Sequence, residues 1–366
     1  MNPPATAGRV RAAFRAQAAS CGQMGSPFLQ ALLGGLAERL TPDSLISAQV
    51  LGWAGDPTGS ADALALRLAG GLHALVLTGD DPDLASAFAK AGAGQAARQT
   101  SLAPGEAAAL TDAALAALPR NAAFLGRWLL SAPQTNEVRR SAALIAAGRW
   151  LSARHGLPLV LSELGASAGL NLLWDSYALA IGTHRFGPAD PTLTLTPAWD
   201  GPLPPTTAPH IRDRAGVDLN PLDPVTDRLR LLAYLWPDQP DRLTRTNQAL
   251  DLASILRPEI TRGDAIDWLE TRLQTRHPGA VHTIFHTVAW QYFPAQLRAR
   301  GQAMIEAAGA KATPDAPIAH LSMEADDAPA GTGAALTLHL WPGGEVIPLA
   351  RVDFHGRWLR WSAPSP

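Results

Sequence analysis

The most constraining feature of the sequence is the stretch LPLVLSELGASAGLNLLWD, residues 157–175. It begins as a continuous apolar run, which is typical of a strand that is buried on both faces of a sheet. An acid, Glu163, lies at the end of this run, and a turn of glycines and small residues follows it. The stretch therefore predicts a buried strand, a side-chain-poor turn and a helix that begins at the turn.

The two halves of the chain differ in pattern. Residues 1–150 show helical periodicities and a single strand-like run, GLHALVLT, at residues 71–78. Beyond them, strand patterns alternate with helical ones, and the last strands are joined by tight glycine turns. We predict an all-helical N-terminal cap domain over residues 1–150. We expect a mostly parallel α/β sheet with antiparallel edge strands over residues 151–366, with an inserted lid or hairpin at about 182–210.

Composition excludes several classes of function. The chain has 30 Lys and Arg residues and 32 Asp and Glu residues, so sequence-independent binding of nucleic acid is not expected. The single cysteine, Cys21, excludes a disulfide framework, and no familiar metal-binding motif occurs. No apolar run approaches the roughly 18 residues that span a bilayer, and the N-terminus lacks the apolar core of a signal peptide. We expect a cytoplasmic protein that binds a small molecule, without metal or membrane.

The turn GASAG is a candidate cofactor site. Ligands of open parallel sheets bind beyond the carboxyl ends of the strands, and N–H groups at a helix start suit a carboxylate or phosphate. A dinucleotide turn has the spacing G-x-G-x-x-G with an acid about 20 residues later. This turn has the spacing G-x-x-x-G, with Glu163 two residues before Gly165. An acid at that place favours a ligand with an ammonium and a sulfonium group, S-adenosylmethionine, over a nicotinamide cofactor.

The string from the first strand through Gly169 resembles the first motif of class I methyltransferases, whose fold is Rossmann-like. The resemblance implies that acids at the ends of the next two strands contact the ribose and the adenine. Asp218 in AGVDLN and Asp264 in TRGDAI occupy those places, with Asp175 as the alternative ribose acid and a helix cap as the alternative role of Asp264. The predicted cofactor contacts are Glu163, Gly165, Ala166, Ser167, Gly169, Asn171, Asp218, Asn220, Asp264 and Ala265.

The fourth predicted strand, HTIFHTVAWQYFP, ends where the resemblance places the substrate. His286 is a candidate general base, since an unperturbed imidazole titrates near neutral pH. The alternative is that His282 and His286, which share one face of a strand, are hydrogen-bonded sheet residues. Tyr292 is the second catalytic candidate, and Trp290 and Gln291 are candidate substrate contacts; the two aromatic side chains also suit the walls of a pocket.

A polar cluster, QTNEVRR, precedes the last helix before the first strand. Asn136, Glu137 and Arg140 are candidate substrate contacts that close over the cofactor. The alternative is structural: Thr135 or Asn136 caps the helix, the acid complements its positive end and the arginines are solvated.

This cluster and ELGASAGLNLLWD together resemble an uncharacterised bacterial family known only as a domain of unknown function. The resemblance extends along nearly the whole chain and implies a methyltransferase-like second half, without a known substrate. The leading hypothesis is an S-adenosylmethionine-dependent methyltransferase that acts on a small molecule. The alternatives are a non-catalytic protein that binds a nucleotide or another ligand on the same fold, and an NAD(P)-dependent enzyme.

Overall fold

The computed structural model describes residues 3–96, 101–329 and 331–366, with the side chains of residues 3–5 excepted. The chain forms two compact units. The first comprises residues 1–135 and 226–247, and the second comprises residues 136–225 and 248–366. This division differs from the boundary expected at residue 150, because residues 136–150 belong to the sheet unit and the chain returns to the helical unit after the second parallel strand.

The first unit is helical in the residues that the structure describes. Its helices are α1 (Pro3–Gln23), α2 (Pro27–Arg39), α3 (Leu45–Leu51), α4 (Leu64–Thr78), α5 (Pro82–Lys90), α6 (Pro104–Arg120), α7 (Ala122–Trp128) and α9 (Arg228–Ala233), and α10 (Pro240–Leu256) spans the boundary at residue 247. Helix α2 begins after Ser26, whose side chain accepts a hydrogen bond from Leu29 N. Its apolar face is buried in one core with Phe14, Leu68 and Phe88.

The strand-like run at residues 71–78 is helical in the structure. It forms the last half of α4, where Leu72 and Leu75 are fully buried in the helical core. A helix that is covered on most sides has a continuous apolar run, and periodicity alone does not distinguish it from a buried strand.

The second unit contains all the strands that the structure describes. Its elements are α8 (Ser141–His155), β1 (Leu159–Leu164), β2 (Ala178–Ile181), β3 (His184–Phe186), β4 (Thr194–Leu195), β5 (Ala198–Asp200), β6 (Ile211–Asp218), β7 (Ile260–Arg262), α11 (Ala265–Arg272), β8 (Val281–Thr287), α12 (Ala295–Gly309), β9 (Ile318–Glu324), β10 (Ala334–Trp341), β11 (Glu345–Val352) and β12 (Trp358–Trp361). This composition confirms a mixed α/β fold.

Nine of these strands form one sheet in the order β5-β12-β11-β10-β9-β8-β1-β6-β7. The pairs from β9 to β7 are parallel, whereas β9, β10, β11 and β12 pair antiparallel. The predicted antiparallel tail is therefore confirmed. The chain order across the five parallel strands is third, second, first, fourth, fifth, which places a topological switch point between β1 and β8.

The register decides which side chains share a face of the sheet. Glu163 pairs with Phe285 of β8, so the two side chains lie on the same face. Neighbouring residues of a strand point to opposite faces, so His286 lies on the other face. That second face packs under α11 and α12, through a cluster that includes Leu164, Val217 and Ile284.

The expected inserted segment forms a small sheet rather than a simple connection. Strands β2 and β3 pair antiparallel as a hairpin, and β4 pairs parallel with β2. Strand β5 joins the edge of the large sheet beside β12.

Among the helices of the described ranges, none combines the length and the apolar character that crossing a membrane requires.

Candidate functional site

The turn after β1 has an unusual backbone. Gly165 and Gly169 have φ angles of 75° and 72°, and Ser167 between them has a φ of 54°. These are left-handed conformations, which glycine adopts freely and which strain a residue with a side chain. The chain then enters a six-residue 3-10 helix, Asn171–Ser176. The α-helix expected at this point is absent, and the 3-10 helix takes its place.

The N–H groups of the turn are already bonded within the protein. Gly165 N and Ala166 N both donate to Val217 O, at 2.9 and 3.0 Å. Ser167 N donates to Oδ2 of Asp218 at 2.8 Å. The expectation that these groups are free for a carboxylate or phosphate was therefore wrong, since the end of β6 accepts from all three.

The glycines allow close contact with protein rather than with open space. A Cβ on Gly165 would lie 2.6 Å from the Cβ of Ala289, in the segment after β8. A Cβ on Gly169 would lie 2.8 Å from Pro258 Cγ, and one on Gly216 would lie 2.8 Å from the Cβ of Ala166. The turn is thus packed against the ends of its neighbouring strands.

Glu163 lies beneath this turn and is the most unusual group of the site. It is only 2 % exposed, and its Oε2 has no hydrogen-bonding partner among the described residues. Burial raises the pKa of its carboxyl group well above the usual value, and the negative charge of Asp218 adds to the increase. The positive charge of Arg140 opposes this increase. The carboxyl end of β1 therefore carries a buried acid with a raised pKa and an oxygen without a hydrogen-bonding partner among the described residues.

Arg140 is positioned by backbone oxygens at the same edge of the sheet. Its Nη1 donates to Thr287 O at 3.0 Å, and its Nε donates to Phe354 O at 2.9 Å. The guanidinium is thus fixed over the end of β8 rather than solvated. From this position its positive charge acts to lower the pKa of Glu163.

Asp218 supports the turn and keeps capacity for a ligand. Each oxygen accepts one backbone N–H, from Ser167 and from Asn220, both at 2.8 Å. The Asn220 side chain accepts from Arg262 at 3.1 Å. A carboxylate has about four acceptor positions, so Asp218 retains positions for a pair of hydroxyl groups. Its alternative, Asp175, is held by Arg214 through two bonds of 2.7 and 2.9 Å.

Asp264 caps helix α11. Its Oδ1 accepts from Ile266 N at 2.8 Å and from Asp267 N at 3.2 Å, and the buried Ala265 begins the helix. This is the structural role that the sequence left open. The predicted contact of Asp264 and Ala265 with adenine stays a prediction.

The cluster at residues 134–140 holds the glycine turn in place. Asn136 Oδ1 accepts from Leu170 N at 2.9 Å. Asn171 Nδ2 donates to Glu137 O at 3.3 Å, and Asn171 Oδ1 accepts from Ser141 at 2.7 Å. Asn136, Glu137 and Asn171 are all buried. They are positioning residues for the turn, and their proposed contacts with substrate or cofactor stay predictions.

His286 lies in a buried polar chain on the opposite face of the sheet from Glu163. Its Nδ1 is 2.7 Å from Glu324 Oε1, its Nε2 is 3.0 Å from His320 Nε2, and its ring stacks on Trp290 at 4.9 Å. His286 is 1 % exposed. Strand alternation turns the imidazole to the other face and both of its nitrogens have partners, which matches the alternative of a hydrogen-bonded sheet residue. The role of general base stays a prediction that this geometry does not favour.

Glu324 organises the segment that follows β8, and the sequence analysis missed it. It accepts from Ala289 N at 2.9 Å, from Trp290 N at 3.0 Å and from Gln291 N at 3.3 Å. Burial alone raises the pKa of Glu324, but the bonds from His286 and the backbone N–H groups outweigh it and lower the pKa. The signal that would have found Glu324 is its place at the end of the fifth parallel strand, in IAHLSME.

The remaining substrate candidates differ in exposure. Tyr292 is 74 % exposed beyond β8. The Trp290 ring packs with Phe293 and would contact a Cβ on Gly301 at 2.7 Å, so it belongs to the core under α12. Gln291 accepts from Ala325 N at 3.4 Å.

No group of three potential metal ligands lies together in residues 3–96, 101–329 and 331–366.

Comparison with known proteins identifies the family of this chain. Residues 11–361 match the model of the family "Uncharacterized protein conserved in bacteria (DUF2332)", so the chain belongs to that family. A search of the curated proteins found no match. The family description names no activity, so the function is argued from the site alone.

We predict that Gly165→Ala destabilises the protein more than Gly182→Ala does. Gly182 also has a positive φ, of 56°, but a Cβ there meets nothing within 4 Å. Gly182→Ala therefore tests backbone strain alone, and we expect it to lower the free energy of unfolding by about 1 kcal/mol. Gly165→Ala adds steric overlap with Ala289, so its free energy of unfolding should fall by about 2–4 kcal/mol in total. Urea unfolding measures both values. Equal losses would show that the turn does not pack against Ala289.

We predict that Glu163→Gln stabilises the ligand-free protein, increasingly so as pH rises. A carboxyl group whose pKa is raised on folding binds its proton more tightly in the folded state. Its stabilisation is complete below the unfolded pKa of about 4.3 and is lost as pH rises through the folded pKa. Thermal unfolding from pH 5 to pH 8 measures the difference. Glu259→Gln, at an exposed acid, is the control and should show no such trend.

Proposed function

We propose that the second unit binds S-adenosylmethionine at the carboxyl edge of β1, β6 and β7 and that the protein is a methyltransferase for a small molecule. One observation carries the proposal: a buried acid, Glu163, lies at the end of the central strand with an oxygen that no donor of the described residues satisfies. A buried carboxyl oxygen without a donor is costly. A ligand ammonium group supplies both the missing donor and the charge that makes ionisation of Glu163 favourable.

The sheet order supports this location. The crevice of a doubly wound sheet opens at the switch point, beyond the carboxyl ends of its parallel strands. Glu163 belongs to the first of those strands, and the acids Asp218 and Asp264 follow the ends of β6 and β7. Asp218 keeps acceptor positions for the ribose hydroxyl groups. This arrangement agrees with the resemblance to class I methyltransferases, in which acids on successive strands contact the cofactor.

The hydrogen bonds of the turn argue against a nicotinamide dinucleotide. A pyrophosphate is bound by free N–H groups at the start of a helix. Here the three N–H groups from Gly165 to Ser167 are bonded within the protein, and a short 3-10 helix follows. A cation meets no such obstacle, because it needs acceptors.

The chemistry would rest on orientation and exclusion of water. When bound, S-adenosylmethionine supplies an activated methyl group for an in-line displacement, which disperses charge and needs little electrostatic catalysis. Glu163 and Asp218 would orient the cofactor, and the positive charge of Arg140 would add to that of the ligand in favouring ionised Glu163. His286 is not used. Tyr292 is the catalytic candidate that remains, because it is exposed beyond the end of β8.

The second candidate function is ligand binding without catalysis. Two observations favour it. The turn packs closely against Ala289, and His286 faces away from Glu163. Under this alternative, the protein would bind the same cationic ligand without transferring a group.

Incubation with S-adenosylmethionine and a metabolite extract distinguishes the two functions, since only a methyltransferase accumulates S-adenosylhomocysteine above the buffer control.

Binding of S-adenosylmethionine or S-adenosylhomocysteine is the direct test. We expect saturable heat in calorimetric titration, and we expect Glu163→Gln to weaken binding by about 10–100-fold. This loss corresponds to the roughly 1.5–3 kcal/mol of a charge-assisted hydrogen bond. The matched control Glu259→Gln should bind as the unmodified protein does. A folded protein that gives no heat with either compound contradicts the proposal.

Cation binding should also release a proton. Glu163 is neutral in the ligand-free protein and ionised beside an ammonium group, so affinity rises with pH up to the folded pKa of Glu163. Titrations in two buffers of different ionisation enthalpy measure the proton count at pH 6. For the unmodified protein we expect the measured binding enthalpy to differ between the two buffers. In Glu163→Gln, the part of the proton release that comes from Glu163 should be absent. Equal proton release by both proteins contradicts the assignment to Glu163.

A further inference from the structure

A cavity of about 360 Å³ lies at the edge of the sheet opposite Glu163. It is enclosed by the ends of α11 and α12, by the segment between α11 and β8, and by the first residues of β8 and β9. This volume is within the range of small-molecule sites. Its wall is mostly apolar, through side chains that include Leu273, Met304 and Ile318.

Two neutral histidines line the cavity. Burial lowers the pKa of His282 to about 3 and lowers the pKa of His277 as well. Their rings are 4.8 Å apart and nearly perpendicular, and Nε2 of His277 is buried without a hydrogen-bonding partner in the described residues. A polar atom left in this way in an otherwise apolar wall is unfavourable unless a ligand or water bonds to it.

The partners of His282 determine where its proton lies. Its Nε2 is 2.8 Å from the Ser162 hydroxyl, which already accepts from Arg272 Nε at 3.1 Å. A hydroxyl has one proton and two lone pairs, so Ser162 can donate its proton to Nε2 while it accepts from Arg272, with Nε2 as the acceptor. The proton of the neutral ring then lies on Nδ1, so His282 offers an N–H donor in the wall of the cavity.

The rim of the cavity carries more positive than negative charge. Lys311 and Arg276 lie there, and the structure records no acid bonded to either side chain. Glu270, the acid of the lining, is paired with Arg300. The cavity therefore combines an apolar wall, an imidazole nitrogen of His277 without a partner among the described residues, and the cations Lys311 and Arg276 at its rim.

We propose that this cavity is a second binding site, for a small amphipathic carboxylate. The apolar body would lie against Met304 and Ile318, and the carboxylate would lie near Lys311 and Arg276. The site is separate from the proposed cofactor site and does not depend on it. The two sites lie at opposite ends of the parallel strands.

The methionine methyl groups give a direct readout. The chain contains four methionines, and Met304 lines the cavity. Met24 belongs to the helical unit and Met323 is fully buried in β9, so both are internal controls. We expect 4-phenylbutyrate to shift the ¹³C-methyl signal of Met304 in a saturable way, with little change at Met24. The neutral isostere 4-phenylbutyramide should bind at least fivefold more weakly.

Two pairs of variants test the location. Lys311→Gln should weaken binding of the carboxylate about fivefold while leaving the amide unchanged, and Arg298→Gln, on the exposed face of α12, should change neither. Ala308→Trp should fill the cavity and abolish the Met304 shift, whereas Ala303→Trp, at an exposed position of the same helix, should not. Glu163→Gln should leave the titration unchanged.

Three results would overturn the proposal. The first is a Met304 signal that does not respond to 4-phenylbutyrate. The second is equal affinity for the acid and the amide, which would remove the role of the cations. The third is full binding by a folded Ala308→Trp protein, which would place the ligand elsewhere. Failure of S-adenosylmethionine to bind at the other edge has no bearing on any of the three.

Discussion

The structure of the sheet unit is organised around a buried acid at the end of its central strand. Glu163 lies between a parallel neighbour on each side, β6 and β8, so water does not reach its carboxyl group. An ionised carboxylate in such a place is strongly unfavourable without a partner. Burial therefore favours the protonated form and raises the pKa of the carboxyl group. The turn, the acid on β6 and the arginine over β8 all lie close to this one side chain.

Around Glu163, the protein satisfies its own backbone and leaves the acid open. Asp218 and Val217 accept from the turn, and Asn136 accepts from the residue that follows it. The two sequence strings that carry the family resemblance are thus in direct contact, which gives them a physical reason to occur together. Bonded donors beside an unpartnered acceptor are the reason why we propose a cationic ligand rather than a phosphate.

Hydrophobic periodicity predicted several helices and strands, but it did not predict the packing and hydrogen bonds between them. The buried run at β1, the α12 helix and the glycine-joined strands of the tail each have a local pattern, so the sequence predicted the α/β class and the antiparallel tail. The α-helix after the turn was predicted wrongly because the bonds from Gly165, Ala166 and Ser167 reach residues about 50 positions away. Distant acceptors of this kind have no local signature.

The site was predicted in part for the same reason. Glu163 was singled out because an acid at the end of an apolar run is conspicuous in any sequence, and its role as a cofactor contact stays a prediction. His286 was misplaced because a strand pattern gives parity but not the register against β1, which decides the face. Glu324 was missed because its role depends on the path of residues 289–291 over the end of β9. The return of residues 226–247 to the helical unit likewise leaves no mark in a local pattern.

The most direct test of this account is the protonation state of Glu163. Glutamate labelled with ¹³C at the carboxyl carbon gives one signal for each glutamate, and the signal missing from Glu163→Gln identifies the residue. We predict that this signal keeps the shift of a protonated acid at pH 6 and changes to that of a carboxylate when S-adenosylmethionine is added. A Glu163 signal that titrates near pH 4, as exposed glutamates do, and ignores the ligand would contradict the account.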